Sequence, residues 1–313
     1  MTATIPQLTV FVAVAEAGSF SEAARRLGLS QPSLSRTVQI LEQALGLRLF
    51  DRDTRRIVPT PAGLALRPIA ERLIAEFDGG MEEFAQFAAG RLGRVTIAAL
   101  PSIAATLLPA PLARFRAEAP QVAVLIQDGL SETIVDAVQQ GRADFGLTIQ
   151  PPPVVGLSFR PLVADEFGLV CRADDPLAAG RGPHPWTVFA GRDFIGMSPS
   201  SSVRVMTDAA FLQCGMAVAP QYECAFLGTT GHLVAAGLGI TALPRLTMPL
   251  TAAPGLVWRR LQRPLVRRPI GIVCRAHKTL APATRRLLEL VAAEAVRNRA
   301  ERQAPPGRAP AAP

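Results

Sequence analysis

The sequence predicts an α/β protein in three parts: an N-terminal winged helix-turn-helix, a long linker helix, and a two-lobed α/β domain. Two observations carry this. Short amphipathic helices with cap residues fill the first 45 positions, and apolar strands alternate with helices from Arg94 onward. A third is length, since 313 residues exceed what a single core usually organises. The expected boundaries are 1–60 for the winged domain, 61–90 for the linker and 91–300 for the α/β domain. The last divides into lobe I (about 91–164 and 269–300) and lobe II (about 165–268). A Pro/Ala-rich tail, 301–313, is expected to be disordered.

Residues 4–17 form the first expected helix, with Leu8, Phe11, Val12 and Ala15 along one face. Ser19 and Glu22 have capping-box spacing and start a second helix, which Gly28 ends. Ser30 caps a third, with Pro32 in its first turn. Leu34, Val38 and Leu41 face inward, leaving Gln31, Pro32, Ser33, Ser35, Arg36 and Gln39 at or near its outer, N-terminal side. Any two amphipathic helices joined by a Gly turn share part of this pattern. A helix-turn-helix places such residues against base edges in the major groove, where Gln reads adenine and Arg guanine or phosphate. Alternating apolar residues around Asp51–Arg56 predict a two-stranded wing with Arg52, Arg55 and Arg56 near its tip. A solvated hairpin would carry the same charges; beside a recognition helix they suit phosphate or the minor groove.

Thr60-Pro61 starts the linker helix, which Gly90 should stop. Ile74, Phe77, Met81 and Phe84, continued by Ala88, repeat at steps of three and four, a coiled-coil seam. One small winged domain cannot bury that length, so the seam implies a helix from a second subunit. Gly79-Gly80 interrupts the pattern and makes a kink or break plausible there.

Beyond Arg94, strands are expected at 95–100, 122–127 and 143–149, with helices over 107–117 and 131–140. Residues 167–172, 193–197 and 234–244 bound a second unit, the chain returns from Ile270, and Thr279–Arg299 is a last helix. The alternation argues for parallel sheets covered by helices, in two lobes of periplasmic-binding-protein type joined by crossovers near Ala164 and Pro269.

The run from Leu8 to Gly63 resembles the N-terminal domain of LysR-type transcriptional regulators. The resemblance is carried by F-x-x-V-A-x-x-G-S-F, A-A-x-x-L, S-Q-P-S-L-S, L-E-x-x-L-G-x-x-L-F and the D-R…T-x-A-G ending. The remainder is more loosely similar to the same family's effector domain. The resemblance implies double-stranded promoter DNA as a partner, dimerisation through the linker into a dimer or tetramer, and RNA polymerase as a further partner. It also implies a small effector held between the lobes.

Loops after strands, at helix N-termini, favour anions, so a small organic acid is the expected effector. Three loops qualify: Ser102-Ile103, Leu130-Ser131, and the serine run containing Ser198, Ser200 and Ser202; Thr229 is a further candidate. Each serine is equally open to a capping role. Ser102 and the serine run match the family's inducer positions, whereas Leu130 stands where the family often has Thr.

The formal charge is +8, with Lys278 the one lysine, which supports nucleic-acid binding without establishing it. The four cysteines have no metal-ligand spacing, and no catalytic constellation or cofactor motif is present, so no cofactor and no enzymatic activity are expected. Peroxide sensors of the family carry a cysteine in the loop that Ser198–Ser202 occupy here; none is present. No apolar run is long enough to span a membrane and no export signal is recognisable, which points to the cytoplasm. The alternative is a small-molecule binder of the solute-receptor class, which the C-terminal part alone would suggest.

Overall fold

The computed structural model describes residues 3–53, 56–180 and 182–303, and the chain divides into two compact units, 1–86 and 87–313. In the first unit, α1 (Ile5–Ala17) is followed by α2 (Phe20–Leu27) and α3 (Gln31–Leu45). The inward face of α1 is Leu8, Val10, Phe11 and Val14; Val12 and Ala15, expected there, are half-buried. Ser19 Oγ accepts the Glu22 amide at 3.4 Å and Ser30 Oγ the Ser33 amide at 3.3 Å, so both helices start at the serines expected to cap them. Gly28 ends α2 at φ +66°, where a Cβ would be strained.

The Glu22 carboxylate does not complete a reciprocal capping box. It turns to Arg25 (2.7 Å) and Arg26 (3.1 Å), which hold its pKa at about 2, Arg25 contributing most. Strands β1 (Phe50–Asp53) and β2 (Arg56–Pro59) pair antiparallel as the wing. Helix α4 (Pro61–Ala88) begins where Thr60 Oγ1 accepts the Gly63 amide at 3.1 Å. It continues as α-helix through Gly79-Gly80, so no break forms there. Neither glycine has a neighbour where a Cβ would be, and helical hydrogen bonding on both sides carries the pair.

The second unit starts with β3 (Leu92–Ala99), α5 (Pro101–Thr106), α6 (Pro109–Glu118), β4 (Gln121–Asp128), α7 (Ser131–Gln139) and β5 (Phe145–Ile149). The helix expected over 107–117 is α6, which starts two residues later because Pro109 sits in its first turn; the short α5 lies ahead of it. Next come β6 (Leu157–Arg172), β7 (His184–Pro185), β8 (Ile195–Met197), α8 (Ser202–Gln213), β9 (Tyr222–Cys224) and α9 (Leu227–Ala235). The chain ends with β10 (Thr241–Pro244), α10 (Met248–Thr251), β11 (Leu256–Gln262), β12 (Arg267–Arg275) and α11 (Pro282–Gln303). Helix α11 starts three residues later than expected, at Pro282, and includes 301–303; the rest of the expected tail lies outside the described residues.

The sheets are mixed rather than parallel. Strand β3 is parallel to β4 and β5, but β12 runs antiparallel to both β5 and β6. The reason is β6, whose 16 residues carry one continuous sheet from one lobe to the other. Its first part pairs with β12, its second with β11 and β10. Residues 167–172 were expected to be a separate strand and are its second half. The anticipated crossovers meet directly, Ala164 opposite Pro269.

Two hydrophobic cores flank this junction. One gathers Val95, Ile97, Phe115, Phe145, Leu147 and Leu287. The other is aromatic, with Trp186, Phe189, Phe194 and Phe211 at centroid separations of 5.2–6.1 Å. Among the described residues no helix is long and apolar enough to cross a membrane.

Candidate functional site

The first candidate surface belongs to α3. Leu34, Val38 and Leu41 are fully buried and anchor it, while Gln31, Pro32, Ser33, Arg36 and Gln39 are exposed and Ser35 is half-buried. Arg36 has no carboxylate partner among the described residues, in contrast to Arg25 and Arg26 of α2, which share Glu22. A surface guanidinium without a competing carboxylate is free to take a phosphate or a guanine edge.

The wing is fixed by a residue that sequence reasoning passed over. Glu42 Oε1 accepts the amides of Leu49 (2.8 Å) and Phe50 (3.4 Å), tying the end of α3 to the start of β1. Glu42 is the E of L-E-x-x-L-G-x-x-L-F, and in this chain its carboxylate joins the two ends of that motif. Arg55 lies outside the described residues, as do the side chains of Arg52 and Arg56.

The seam residues Phe77, Met81 and Phe84 of α4 are 49–63% exposed, and Ile74 is half-buried. Large apolar groups in such a row on one helix favour burial against another surface.

In the second unit, the sequence-selected loops have distinct surroundings. Ser102 is buried, and its hydroxyl does not cap α5; it accepts from Arg268 Nη2 at 3.1 Å. The same Arg268 nitrogen donates to Asp165 Oδ2 at 2.8 Å, and Asp165 Oδ1 accepts the Leu246 amide at 3.0 Å. Arg268 and Asp165 are almost entirely removed from solvent, and Arg268 Nε has no partner. Burial pushes the guanidinium pKa down, and the adjacent carboxylate opposes the shift. Ile103 is wholly within the first core.

Ser131 Oγ accepts from the buried Thr148 hydroxyl at 3.0 Å, whereas Leu130 is 42% exposed and gives α7 no side-chain cap. Ser198 and Ser200 hydroxyls approach to 3.4 Å, and Ser201, between them and Ser202, caps α8 by accepting the Val203 amide at 3.2 Å. Thr229 is exposed within α9 rather than ahead of it, because Phe226 is the N-cap. Among the described residues no hydrogen bond joins these three loops to one another. Thr148, Asp165 and Arg268 were not singled out from sequence, and Ser201 was included only as part of the serine run. Two of them adjoin the predicted crossovers, which is the signal that could have found them.

Two of the four thiols, Cys171 and Cys274, are poor nucleophiles. Burial pushes Cys171 up to about 11 and also raises Cys274. Cys214 donates to the Arg263 carbonyl at 3.4 Å, and Cys224 is buried.

A winged helix-turn-helix followed by a two-core α/β domain with a shared crossover strand is the arrangement suited to a ligand-responsive DNA-binding protein. Residues 5–64 match the family described as bacterial regulatory helix-turn-helix protein, lysR family, and 88–296 match the LysR substrate binding domain. The chain is 34% identical over 291 residues to an uncharacterized HTH-type transcriptional regulator, YfeR, of Shigella flexneri, covering 93% of this chain and 94% of that protein. It is 30% identical over 274 residues to a probable hydrogen peroxide-inducible genes activator of Streptomyces viridosporus, covering 87% of this chain and 88% of that one. A full-length OxyR variant from Pseudomonas aeruginosa superposes with a TM-score of 0.72 at 22% identity, over 94% of this chain and all of that one. Full-length CbnR complexed with its target DNA gives 0.71 at 24%, with the same coverage. At such identities the two structures bear on fold alone. The chain belongs to the LysR family of transcriptional regulators, with a DNA-binding helix-turn-helix domain and an effector-binding domain.

Proposed function

We propose that this regulator binds promoter DNA as a homodimer or homotetramer in the cytoplasm, has no enzymatic activity of its own, and responds to a small organic anion. Gln31, Pro32, Ser33, Ser35, Arg36 and Gln39 read the major groove, and Arg52, Arg55 and Arg56 of the wing hold phosphate or the minor groove. The linker residues Ile74, Phe77, Met81 and Phe84 pair with a second copy, and RNA polymerase is the further partner at the promoter. The observation that carries the reading is Arg36, exposed on a rigidly backed α3 and free of any acidic partner among the described residues. In gel-shift titrations on the protein's own promoter region, Arg36→Ala weakens specific binding by ~1–3 kcal/mol if the contact is a bidentate base contact. Unchanged affinity and sequence preference in a folded variant would remove that role.

The effector site comprises Ser102, Ile103, Leu130, Ser131, Ser198, Ser200, Ser202 and Thr229, with lobe orientation set by which state the ligand favours. Support comes from the Ser102 hydroxyl, held by a buried guanidinium at the lobe junction rather than used as a cap. A thermal-shift screen of small acids identifies the effector; calorimetry then compares the parent with Ser102→Ala. The variant binds effector more weakly and keeps its effector-free DNA affinity. Normal effector binding excludes Ser102 from the site, and loss of basal DNA binding makes it structural.

A further inference from the structure

An open groove of about 720 Å³ in the second unit is lined by none of these loops. It lies across the crossover strands, between Leu162, Glu166, Arg245, Trp258, Arg260 and Arg267. Strand alternation fixes which face this is. Glu166 pairs with Arg267 and Gly168 with Arg260, while Asp165 pairs with Arg268 one step along. Successive side chains point to opposite faces, so Glu166, Arg260 and Arg267 turn away from the Ser102–Arg268–Asp165 cluster. Trp258 lies on the groove side: a Cβ on Gly168 would come within 2.2 Å of its ring, so glycine lets the indole lie flat on the strand.

The charges in the groove do not balance. Glu166 Oε1 accepts from both Arg260 Nη2 (2.9 Å) and Arg267 Nε (3.1 Å). Arg245 stacks over the Trp258 ring at 5.2 Å and has no carboxylate partner among the described residues. Three guanidiniums thus face one carboxylate, since the Asp165 carboxylate is committed on the other face to Arg268 and the Leu246 amide. Apolar surface from Leu162, Ala164 and Pro269 completes the lining beside the indole. A volume of this size with an apolar floor and a few convergent donors is what a small organic ligand needs.

From this we infer that the groove is a second anion site, separate from the proposed effector loops, which takes a flat apolar acid. The acid's ring lies against Trp258 and Leu162, and its carboxylate accepts from Arg245 and from the donors that Glu166 leaves free on Arg260 and Arg267. Because these arginines come from β11, β12 and the turn after β10, a bound acid braces the strands that join the lobes.

The test uses the full chain with naphthoate as probe and naphthamide as its uncharged twin, read by calorimetry and by quenching of tryptophan emission. The chain has two tryptophans, and Trp186 is fully buried, so quenching by a ligand in the groove reports Trp258. Saturable naphthoate binding is expected, with quenching abolished by Trp258→Phe and affinity about tenfold weaker in Arg245→Gln. Arg245 holds no ion pair among the described residues, so that variant keeps its structure; Arg260→Lys, which keeps a cation beside Glu166 but loses the spare guanidinium donors, is expected to weaken naphthoate binding as well. Ser102→Ala leaves this binding unchanged. The inference is overturned if naphthoate does not bind, if naphthamide binds as well, or if Arg245→Gln binds naphthoate like the parent. Binding lost in Ser102→Ala but kept in Arg245→Gln assigns the acid to the effector loops instead, and likewise overturns it.

Discussion

Asp165→Ala is expected to destabilise the effector domain by about 3–5 kcal/mol, measured as a shift in urea midpoint at constant slope. The size follows from what remains behind. Arg268 is about 2% exposed, its Nε is already without a partner, and Asp165 Oδ2 at 2.8 Å is its counter-charge. Removing the carboxylate leaves a guanidinium out of water with, among the described residues, the Ser102 hydroxyl as its remaining side-chain acceptor. The Leu246 amide, which Asp165 Oδ1 now accepts, is orphaned in the same step. The companion variant decides between ion pair and packing. Asp165→Ala with Arg268→Met removes both charges and recovers most of the loss, because an apolar pair avoids the desolvation cost. A single variant as stable as the parent would show that water or another carboxylate reaches Arg268.

The second large effect concerns assembly. Met81→Glu with Phe84→Glu should convert the protein from dimer to monomer in sedimentation at micromolar concentration. Both side chains are more than half exposed on α4, at 51% and 63%, in a row with Phe77 at 49%. If that row is the seam, two helices each bring two carboxylates into an apolar contact with no cations among the seam residues to meet them. Neither side chain packs into the core of the winged domain, so the domain itself keeps its helical content and melting temperature. A variant as dimeric as the parent would place the subunit contact elsewhere.

The parts legible from sequence are those decided within one or two turns of chain. Ser30 meets the Ser33 amide three residues on, and Leu34, Val38 and Leu41 follow the helical period. The wing follows from alternation around a polar tip, and Thr60 caps the helix it begins. Helix starts in the second unit were misplaced where a proline decided them, at Pro109 and Pro282, since the apolar period continues across both.

Tertiary structure decided what depends on partners far along the chain. That β6 is one strand of 16 residues follows from its pairing with β12 on one half and β10 and β11 on the other, which no local pattern in 157–172 specifies. Ser102 reads as a cap, yet its hydroxyl is claimed by Arg268, 166 residues later, because two crossover strands bring them together. The opposed fates of Asp165 and Glu166 have the same origin. They are neighbours of like charge, and strand alternation alone sends one into a dry ion pair and the other into an open groove. Local sequence sets where an element begins and which way its side chains alternate; only the packed sheet determines which of its faces is kept from water.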